Sequence, residues 1–401
     1  MEISKEIITE NINNPRALED LYQTNKKTFM EIIKSMYEQD SNLIIEYWYM
    51  RLFYKPVNKK RNSAKFLFTA VLVILTWIPV RLNFIDHLSY NLYFVRVVPI
   101  IFSIALSFFF LSDFKNIKKI VLCILPNILL YIYFILLPGN ADFKSQSLTN
   151  AFLFMLIMLW FFVLFTYSNF NIKKLNYFSF LEKTGETLIW STIFIIGGGV
   201  VVVLFIALFN AIKIDAFNFY RANIITLGLT AAPFVSLLVV ENYSKIKLSA
   251  IIANVFLPII LVSLVAFGII SIFAEIKPYE NRDIFILYNI MLVIVIAVLV
   301  FSGITKINNK FINICSYSLS VVAVILDVIT ISAVIYRLSN YGITPNKITL
   351  LGTNIIMLTH LVYMIYLKLK HKSEQAVSYL PIYFIWASIF VFVFPFVFKF
   401  A

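Results

Sequence analysis

Charged residues are scarce in this sequence. Only 14% of the 401 residues are charged, whereas 61% are hydrophobic. A soluble domain is about one quarter charged and about half apolar, so this composition excludes an ordinary water-soluble domain. The chain also contains 40 phenylalanines and 22 tyrosines, more than a soluble core of this size can hide. We therefore predict an integral membrane protein.

Cysteine and histidine are almost as scarce. The two cysteines, Cys123 and Cys315, both fall in apolar runs, and no CxxC pair occurs. The three histidines have no metal-ligand spacing, so neither a disulfide framework nor a zinc site is predicted. The patterns HExxH, GxSxG, GxGxxG and GxxxxGK[ST] are absent as well. No metal and no cofactor are expected, and no class of enzyme is indicated.

Long apolar runs are what the sequence has in abundance. Each is near the roughly 20 residues that cross about 30 Å of hydrocarbon as a helix. Barrel strands would instead alternate over about 10 residues. We predict an all-α bundle of about eleven transmembrane helices in residues 63–401. The spans are 64–80, 93–112, 120–137, 150–168, 187–209, 222–240, 249–273, 284–304, 312–335, 346–368 and 379–398.

The basic residues predict the orientation. The net charge of +13 does not indicate nucleic-acid binding, because the basic residues form short clusters between apolar runs. The connections between spans fall into two alternating sets, which carry eighteen and ten basic residues. The positive-inside rule then predicts a cytoplasmic amino terminus, an external carboxyl terminus and an odd number of spans in a cell inner (plasma) membrane. The first set is Lys55, Lys59, Lys60, Arg61, Lys65, Lys115, Lys118, Lys119, Lys173, Lys174, Lys183, Lys245, Lys247, Lys306, Lys310, Lys368, Lys370 and Lys372, and the second is Arg81, Arg96, Lys144, Lys213, Arg221, Lys277, Arg282, Arg337, Lys347 and Lys399.

Residues 1–62 are polar and are predicted to form two or three short amphipathic helices in the cytosol. Asn14 followed by Pro15 is a good helix start, with Asn as the cap and Pro in the first turn. No cleavable signal peptide is recognisable, so the first span is expected to act as an uncleaved anchor. The segment is either a simple folded lead-in or a docking module for a cytosolic protein. Direct lipid sensing has less support, because acids and bases mix on its polar face.

Polar residues inside the late spans are the main indication of a functional site. Asp327 lies about 15 Å from Arg337 along a helix, near the predicted midplane. A carboxylate there costs at least about 2.5–3.5 kcal/mol on insertion scales, so it needs a partner or water. It is either a site for a proton, cation or substrate, or a carboxyl that locks two helices together. Asn354 lies at a similar predicted depth and could bond to it, and His360 could extend the polar track.

The turn between the ninth and tenth spans is the second candidate site. Gly342 is predicted to adopt a left-handed backbone conformation, and Thr344-Pro345 to start the next helix. Arg337, Tyr341 and Lys347 surround this turn on the predicted outer face. They either anchor the helix ends at the membrane interface or form an outer site for an anion or lipid headgroup.

Two other features concern the packing of the bundle. Gly197, Gly198 and Gly199 stand together in the fifth span, where they would allow close helix approach or a hinge. Asn289 places a polar group in the eighth span. Whether two copies of the chain pair cannot be read from either feature.

The stretch Arg337, Tyr341-Gly342-Ile343-Thr344 and Lys347 resembles a bacterial multi-pass inner-membrane family known only as a domain of unknown function, numbered four-one-five-three. The start around Asn14-Pro15 and Trp48 is similar to that of the family's relatives in Bacteroidetes-like bacteria. The resemblance implies a bacterial inner-membrane location and no established activity. Lys347 stands where the family pattern has Arg, which weakens a bidentate role toward an anion.

Three functions are compatible with these observations. The leading hypothesis is transport or translocation of a small or lipid-like solute, with Asp327 binding or relaying a proton and Arg337 and Lys347 contacting an outer anionic group. The alternative is a non-catalytic sensor or scaffold that docks a cytosolic partner through residues 1–62. An intramembrane enzyme acting on lipid has the least support, because no nucleophile–base or metal set is present.

Overall fold

The chain folds into helices that form two compact units, Met1–Asn62 and Ser63–Ala401. The computed structural model describes the chain except for residues 1–3, 13, 38–41, 54–62, 83–89, 139–144, 212–216, 244–247, 274–278, 280–281, 305–308 and 401. Every regular element in the described part is a helix. The fold class is therefore all-α, as the long apolar runs predict.

The first unit contains four helices where two or three were predicted: α1 (Lys5–Glu10), α2 (Pro15–Thr24), α3 (Lys26–Tyr37) and α4 (Leu43–Phe53). The side chain of Asn14 accepts a hydrogen bond from the Ala17 amide, and Pro15 follows in the first turn, as predicted for this helix start. Apolar residues at helical spacing then meet in one core. Its buried members are Ile8, Leu18, Phe29, Ile33, Met36, Ile45 and Trp48.

The second unit contains the apolar helices. In chain order they are α5 (Ser63–Leu82), α6 (Tyr90–Phe110), α7 (Ile117–Leu136), α8 (Gln146–Tyr167), α9 (Tyr177–Ala211), α10 (Phe217–Phe219), α11 (Thr226–Tyr243), α12 (Leu248–Phe273), α13 (Arg282–Ile304), α14 (Lys310–Tyr341), α15 (Pro345–Leu369), α16 (Leu380–Phe392) and α17 (Phe394–Val397). A π-helical turn at Tyr220–Ile225 joins α10 to α11. Short 3₁₀ helices lie at Ile172–Lys174 and Ser373–Tyr379.

Nine helices in the described residues are long and apolar enough to cross a membrane. The predicted spans 93–112 and 249–273 coincide with α6 and α12, whose described side chains give only the shorter apolar stretches Arg96–Phe110 and Val255–Ala266. The membrane class follows from these helices, and the count of eleven stays a prediction. Large apolar side chains are exposed along their outer faces, which suits contact with lipid tails.

The orientation also stays a prediction. Ten of the basic residues on which it depends lie outside the described part of the chain. They are Lys55, Lys59, Lys60, Arg61, Lys144, Lys213, Lys245, Lys247, Lys277 and Lys306.

Helices α14 and α15 form the hairpin that carries the candidate sites. Helix α14 runs through Tyr341, six residues beyond the predicted end at 335, so Arg337 and Tyr341 belong to its last turns. No helix breaker occurs before Gly342, which ends the helix with φ of 71° as predicted. The Thr344 hydroxyl accepts from the Lys347 amide, with Pro345 in the first turn of α15, so the predicted helix start is confirmed.

Glycine allows close contact at a different place from the one predicted. A Cβ on Gly197, Gly198 or Gly199 would meet no atom within 4 Å, so the triplet does not mediate helix packing in the described structure. A Cβ on Gly352 would lie 2.3 Å from the Trp386 ring, and this glycine therefore lets α16 approach α15. The ring is held there by a hydrogen bond from its Nε1 to Thr353 Oγ1 at 3.1 Å.

Candidate functional site

Asp327 lies in the middle of α14, seventeen residues from its first residue and fourteen from its last. Its side chain is fully buried, and neither carboxyl oxygen has a hydrogen-bond partner among the described residues. A buried polar group without a partner costs about 1–3 kcal/mol, and an ionised one costs more. The site is therefore able to take a proton or another hydrogen-bond donor.

Asn354 does not bond to Asp327, so that predicted pairing is wrong. Its Nδ2 donates instead to Oδ1 of Asn289 on α13, at 2.9 Å. The reason is the helix face: Asn354 is fully buried where α15 meets α13. Its own Oδ1 has no partner in the described structure. The amide pair thus links two helices, and one acceptor is left open in the interior.

His360 is fully buried and joined to the segment that follows α15. Its Nδ1 is 3.0 Å from the Tyr383 hydroxyl, and its Nε2 is 3.3 Å from the Ala376 carbonyl. The ring stacks on Tyr379 with centroids 4.4 Å apart. Tyr383, which no sequence pattern singles out, is therefore a direct partner of one predicted site residue, His360.

The face of α14 that carries Asp327 also carries Ser320 and Ser316, about two and three turns away, and both are buried. The ammonium of Lys368 donates to the Ser316 carbonyl and hydroxyl at 2.6 Å each and to the Ser320 hydroxyl at 2.8 Å. Three oxygens match the three hydrogens of an ammonium group. Lys368 is the last residue of the predicted span 346–368 and was counted with the connection that follows it. It lies in the last turn of α15, and its side chain returns to the bundle.

A cavity of about 560 Å³ opens between α8, α13, α14 and the start of α15. The predicted outer residues Arg337, Tyr341 and Lys347 all line it. Its other polar lining residues come from α8 and from the beginning of α15, and none of the described lining residues is acidic. The remaining lining is apolar. The polar group consists of Gln146, Thr149, Asn150, Thr344, Asn346 and Thr349, and the apolar group of Leu153, Phe285, Ile286, Val334 and Leu350.

We call this the outer cavity, after the side of the membrane on which the sequence predicts these residues. Its two cations are held differently. The Arg337 guanidinium lies over the Phe285 ring, 4.7 Å from its centroid. The Lys347 ammonium donates to the carbonyls of Tyr341 at 3.0 Å and Gly342 at 2.7 Å, where it satisfies the carboxyl-terminal end of α14. The structure therefore brings the three predicted residues Arg337, Tyr341 and Lys347 to one cavity. Lys347 also has a structural role there, at the end of α14.

Two helix amino termini meet at the same cavity. Helix α8 begins at Gln146 and α15 at Pro345, and they are joined because the Gln146 side chain accepts from the Asn346 amide at 3.4 Å. Asn150 Nδ2 donates to Asn346 Oδ1 at 2.9 Å and to Thr349 Oγ1 at 3.0 Å. Both helix dipoles add positive potential to that of the cations. The outer cavity is therefore suited to an anionic group attached to an apolar body.

The sequence contained partial signals for what was missed. Ser316, Ser320 and Asp327 are spaced four and seven residues apart, which is one face of a helix. Asn150 was the polar residue at the beginning of a predicted span. Nothing in the sequence connects Tyr383 to His360 or α8 to α15, because those pairings depend on which helices become neighbours. In the described residues, no group of three or more His, Cys, Asp or Glu could hold a metal ion.

Comparison with protein-family models, with curated proteins and with solved structures gave no match. The class of the protein follows from the chain itself. Many apolar helices, joined by short connections and exposing apolar side chains, define a polytopic helical membrane protein.

Proposed function

We propose that this protein carries an anionic solute with an apolar body across the membrane together with a proton. The observation that supports the proposal is Asp327, a fully buried carboxyl group in mid-helix that lacks a hydrogen-bond partner in the described structure. Acidic groups inside membrane helices are rare, and they mark proton and ion pathways in pumps and transporters.

The outer cavity provides the solute site in this proposal. Arg337 contacts the anionic group, the two helix amino termini add positive potential, and the apolar wall holds the rest of the solute. Lys347 contributes charge while it remains bonded to the end of α14. The cavity volume lies within the range of about 300–1,000 Å³ that small-molecule sites occupy.

Proton and solute are coupled through α14. Asp327 and Arg337 are ten residues apart on this helix, which corresponds to about 15 Å. An anion that crosses hydrocarbon alone carries an uncompensated charge, whereas an anion that moves with a proton does not. Beyond Asp327, the proton route in this proposal uses the buried His360, which bonds to the Tyr383 hydroxyl and to the Ala376 carbonyl.

Proteoliposomes with an entrapped pH-sensitive dye test the proposal. Alkyl sulfonates are suitable solutes, because they are permanently charged and carry no proton of their own. The wild-type protein should move protons when a sulfonate gradient is imposed, and Asp327→Asn should not. Asp20→Asn, an exposed change in the first unit, is the matched control. The proposal is wrong if Asp327→Asn behaves like the wild type, or if no sulfonate moves protons.

A second candidate function rests on the first unit. Residues 1–62 have their own core and expose the aromatic and apolar side chains Tyr37, Tyr47 and Met50, which fits a surface that docks a cytosolic protein. Deletion of residues 1–50 separates the two functions: a carrier keeps its solute-driven proton movement, whereas a scaffold loses its partner in a pulldown. The proposal also includes membership of the bacterial family that this chain resembles. It includes an inner-membrane location with a cytoplasmic amino terminus as well.

A further inference from the structure

A second cavity, of about 510 Å³, lies between α6, α8, α9 and α11 and shares no lining residue with the outer cavity. Its walls are made mainly of large apolar side chains, among them Phe102, Leu159 and Trp160. Its volume is again within the range of ligand sites. We call it the apolar cavity.

The hydroxyl groups that line this cavity already donate hydrogen bonds within the protein. Thr184 Oγ1 and Thr187 Oγ1 each donate at 2.7 Å to the carbonyl one turn earlier in α9. Ser191 Oγ donates to the Thr187 carbonyl at 2.7 Å, and Ser103 Oγ to the Leu159 carbonyl at 3.4 Å. A hydroxyl has one hydrogen to donate, so these groups offer a ligand only the acceptor lone pairs of their oxygens. The rest of the lining is mainly apolar, and the cavity therefore suits hydrocarbon.

The dimensions of the cavity match one leaflet of a bilayer. Its lining on α9 extends from Phe180 to Ile195, which is about 22 Å of helix. Half of a bilayer, counted with its headgroup region, is about 20–22 Å. Leu156, Leu188 and Ile195 lie at its rim with exposed side chains, so the cavity opens toward the surroundings of the bundle. In a membrane those surroundings are lipid tails.

Charged groups lie near Phe110, at one end of the cavity lining. The Lys183 ammonium is 5.4 Å from the centroid of Phe110, a lining residue, and 3.3 Å from a carboxyl oxygen of Glu241. Glu241 also pairs with Lys65. Lys183 therefore marks the interfacial end of the cavity, where a lipid phosphate lies when the chain of that lipid extends inward.

We propose that the apolar cavity holds one acyl chain of a phospholipid, with its phosphate at Lys183 and Lys65. The apolar walls select hydrocarbon, and the length selects a chain that spans one leaflet. The two ammonium groups and Glu241 together carry one net positive charge, which complements the phosphate. The proposal is independent of the proton-coupled transport, because it involves neither Asp327 nor the outer cavity.

The cavity contains its own reporter, Trp160. Protein that retains Trp160 and has Phe at its other tryptophans is reconstituted with increasing mole fractions of phosphatidylglycerol brominated on one acyl chain, which quenches tryptophan on contact. A second protein retains only Trp190, which is on α9 outside the cavity lining. Trp160 should be quenched at a lower mole fraction than Trp190. Equal quenching of the two tryptophans would overturn the proposal.

Filling the cavity is the direct test. In the double variant Thr184→Phe, Thr187→Phe, Trp160 should no longer be quenched at a lower mole fraction than Trp190. The matched variant Ile193→Phe, Ile196→Phe changes two exposed positions of the same helix outside the lining, and in it the difference between the two tryptophans should remain. Native mass spectrometry of the full chain, with all its tryptophans, gives a second readout: phospholipid should co-purify with wild type and the control but not with the filled variant. Retention by a monodisperse filled variant would contradict the proposal.

The headgroup contact has a separate readout. Lys183→Gln should raise the mole fraction of brominated phosphatidylglycerol needed for half-maximal quenching by about fivefold, since one basic residue near a lipid surface contributes about 1 kcal/mol. Quenching by the same chain on phosphatidylcholine should change less. An unchanged phosphatidylglycerol curve would exclude Lys183 as the phosphate contact.

Discussion

One face of α14 carries two buried polar sites at different positions along the helix. The two sites differ in whether their polar atoms have hydrogen-bond partners. Lys368 binds there with three oxygens within 2.8 Å, whereas the two oxygens of Asp327 have no hydrogen-bond partner among the described residues. A satisfied buried group stabilises a fold, and an unsatisfied one destabilises it. The contrast indicates that Lys368 stabilises the fold and that Asp327 acts in the function. Substitutions at the two sites test that assignment.

The largest effect is expected for Asp327→Asn. Solute-driven proton uptake should be abolished, because the amide cannot take up and release a proton in this way. The melting temperature in detergent should not fall, since no hydrogen bond within the described structure is lost. Differential scanning fluorimetry together with proteoliposome dye assays gives both values. A fall in melting temperature with normal uptake would reverse the assignment of Asp327 to function.

Lys368→Met should show the opposite behaviour. The substitution keeps most of the side-chain volume but leaves Ser316 and Ser320 without their donor, at a cost of about 1–3 kcal/mol. The melting temperature should fall by a few degrees, and the protein that remains folded should move protons. Loss of proton movement at unchanged melting temperature would instead make Lys368 part of the pathway.

Arg337→Gln extends the comparison to the outer cavity. A hydrogen bond to a charged group contributes about 1.5–3 kcal/mol, so the affinity for an alkyl sulfonate should weaken at least tenfold. Isothermal titration measures it, with Lys399→Gln, at an exposed site near the carboxyl terminus, as the charge-matched control. Equal affinities for the two variants would exclude the cavity as the anion site.

The Asn289–Asn354 pair is only partly satisfied, because one hydrogen bond links the two amides and the Asn354 Oδ1 has no partner in the described structure. A double-mutant cycle with Leu at both positions should give a coupling energy of about 0.6 kcal/mol, the average for hydrogen bonds between membrane helices. Thermal stability in detergent is the readout. A coupling near zero would show that the 2.9 Å contact does not hold α13 to α15.

The smallest effect is expected for an exposed ion pair, Glu19–Arg51, in the first unit. The Arg51 guanidinium, 2.6 Å away, lowers the pKa of the Glu19 carboxyl below its ordinary value of 4.5. Because the pKa of Glu19 is lower in the folded state than in the unfolded state, the ion pair stabilises the folded state at pH values above the pKa of the unfolded state. This contribution is lost as the pH falls through the pKa of the folded state. Melting curves of Trp48 fluorescence should therefore differ slightly between wild type and Glu19→Gln near neutrality and converge in acid. A difference that grows in acid would contradict this sign.

Local signals in the sequence predicted local structure well. Asn14-Pro15, Gly342 and Thr344-Pro345 begin or end helices where expected, because capping and backbone geometry depend on neighbouring residues. The end of α14 was misplaced by six residues, since polar residues were taken as a turn although none of them breaks a helix. Pairings between helices could not be predicted in the same way: similar depth made a bond from Asn354 to Asp327 possible, but Asn354 bonds to Asn289.

The sequence by itself determined the membrane class, the helical fold, the short connections and the identity of the polar residues in the late spans. Length and hydropathy suffice for these, because lipid leaves a spanning segment few alternatives to a helix. Only the tertiary structure decided that Lys368 returns to Ser316, that Tyr383 bonds to His360, and that α8 joins α15 at the outer cavity. Such contacts depend on helix rotation and neighbour choice, which packing between distant segments determines.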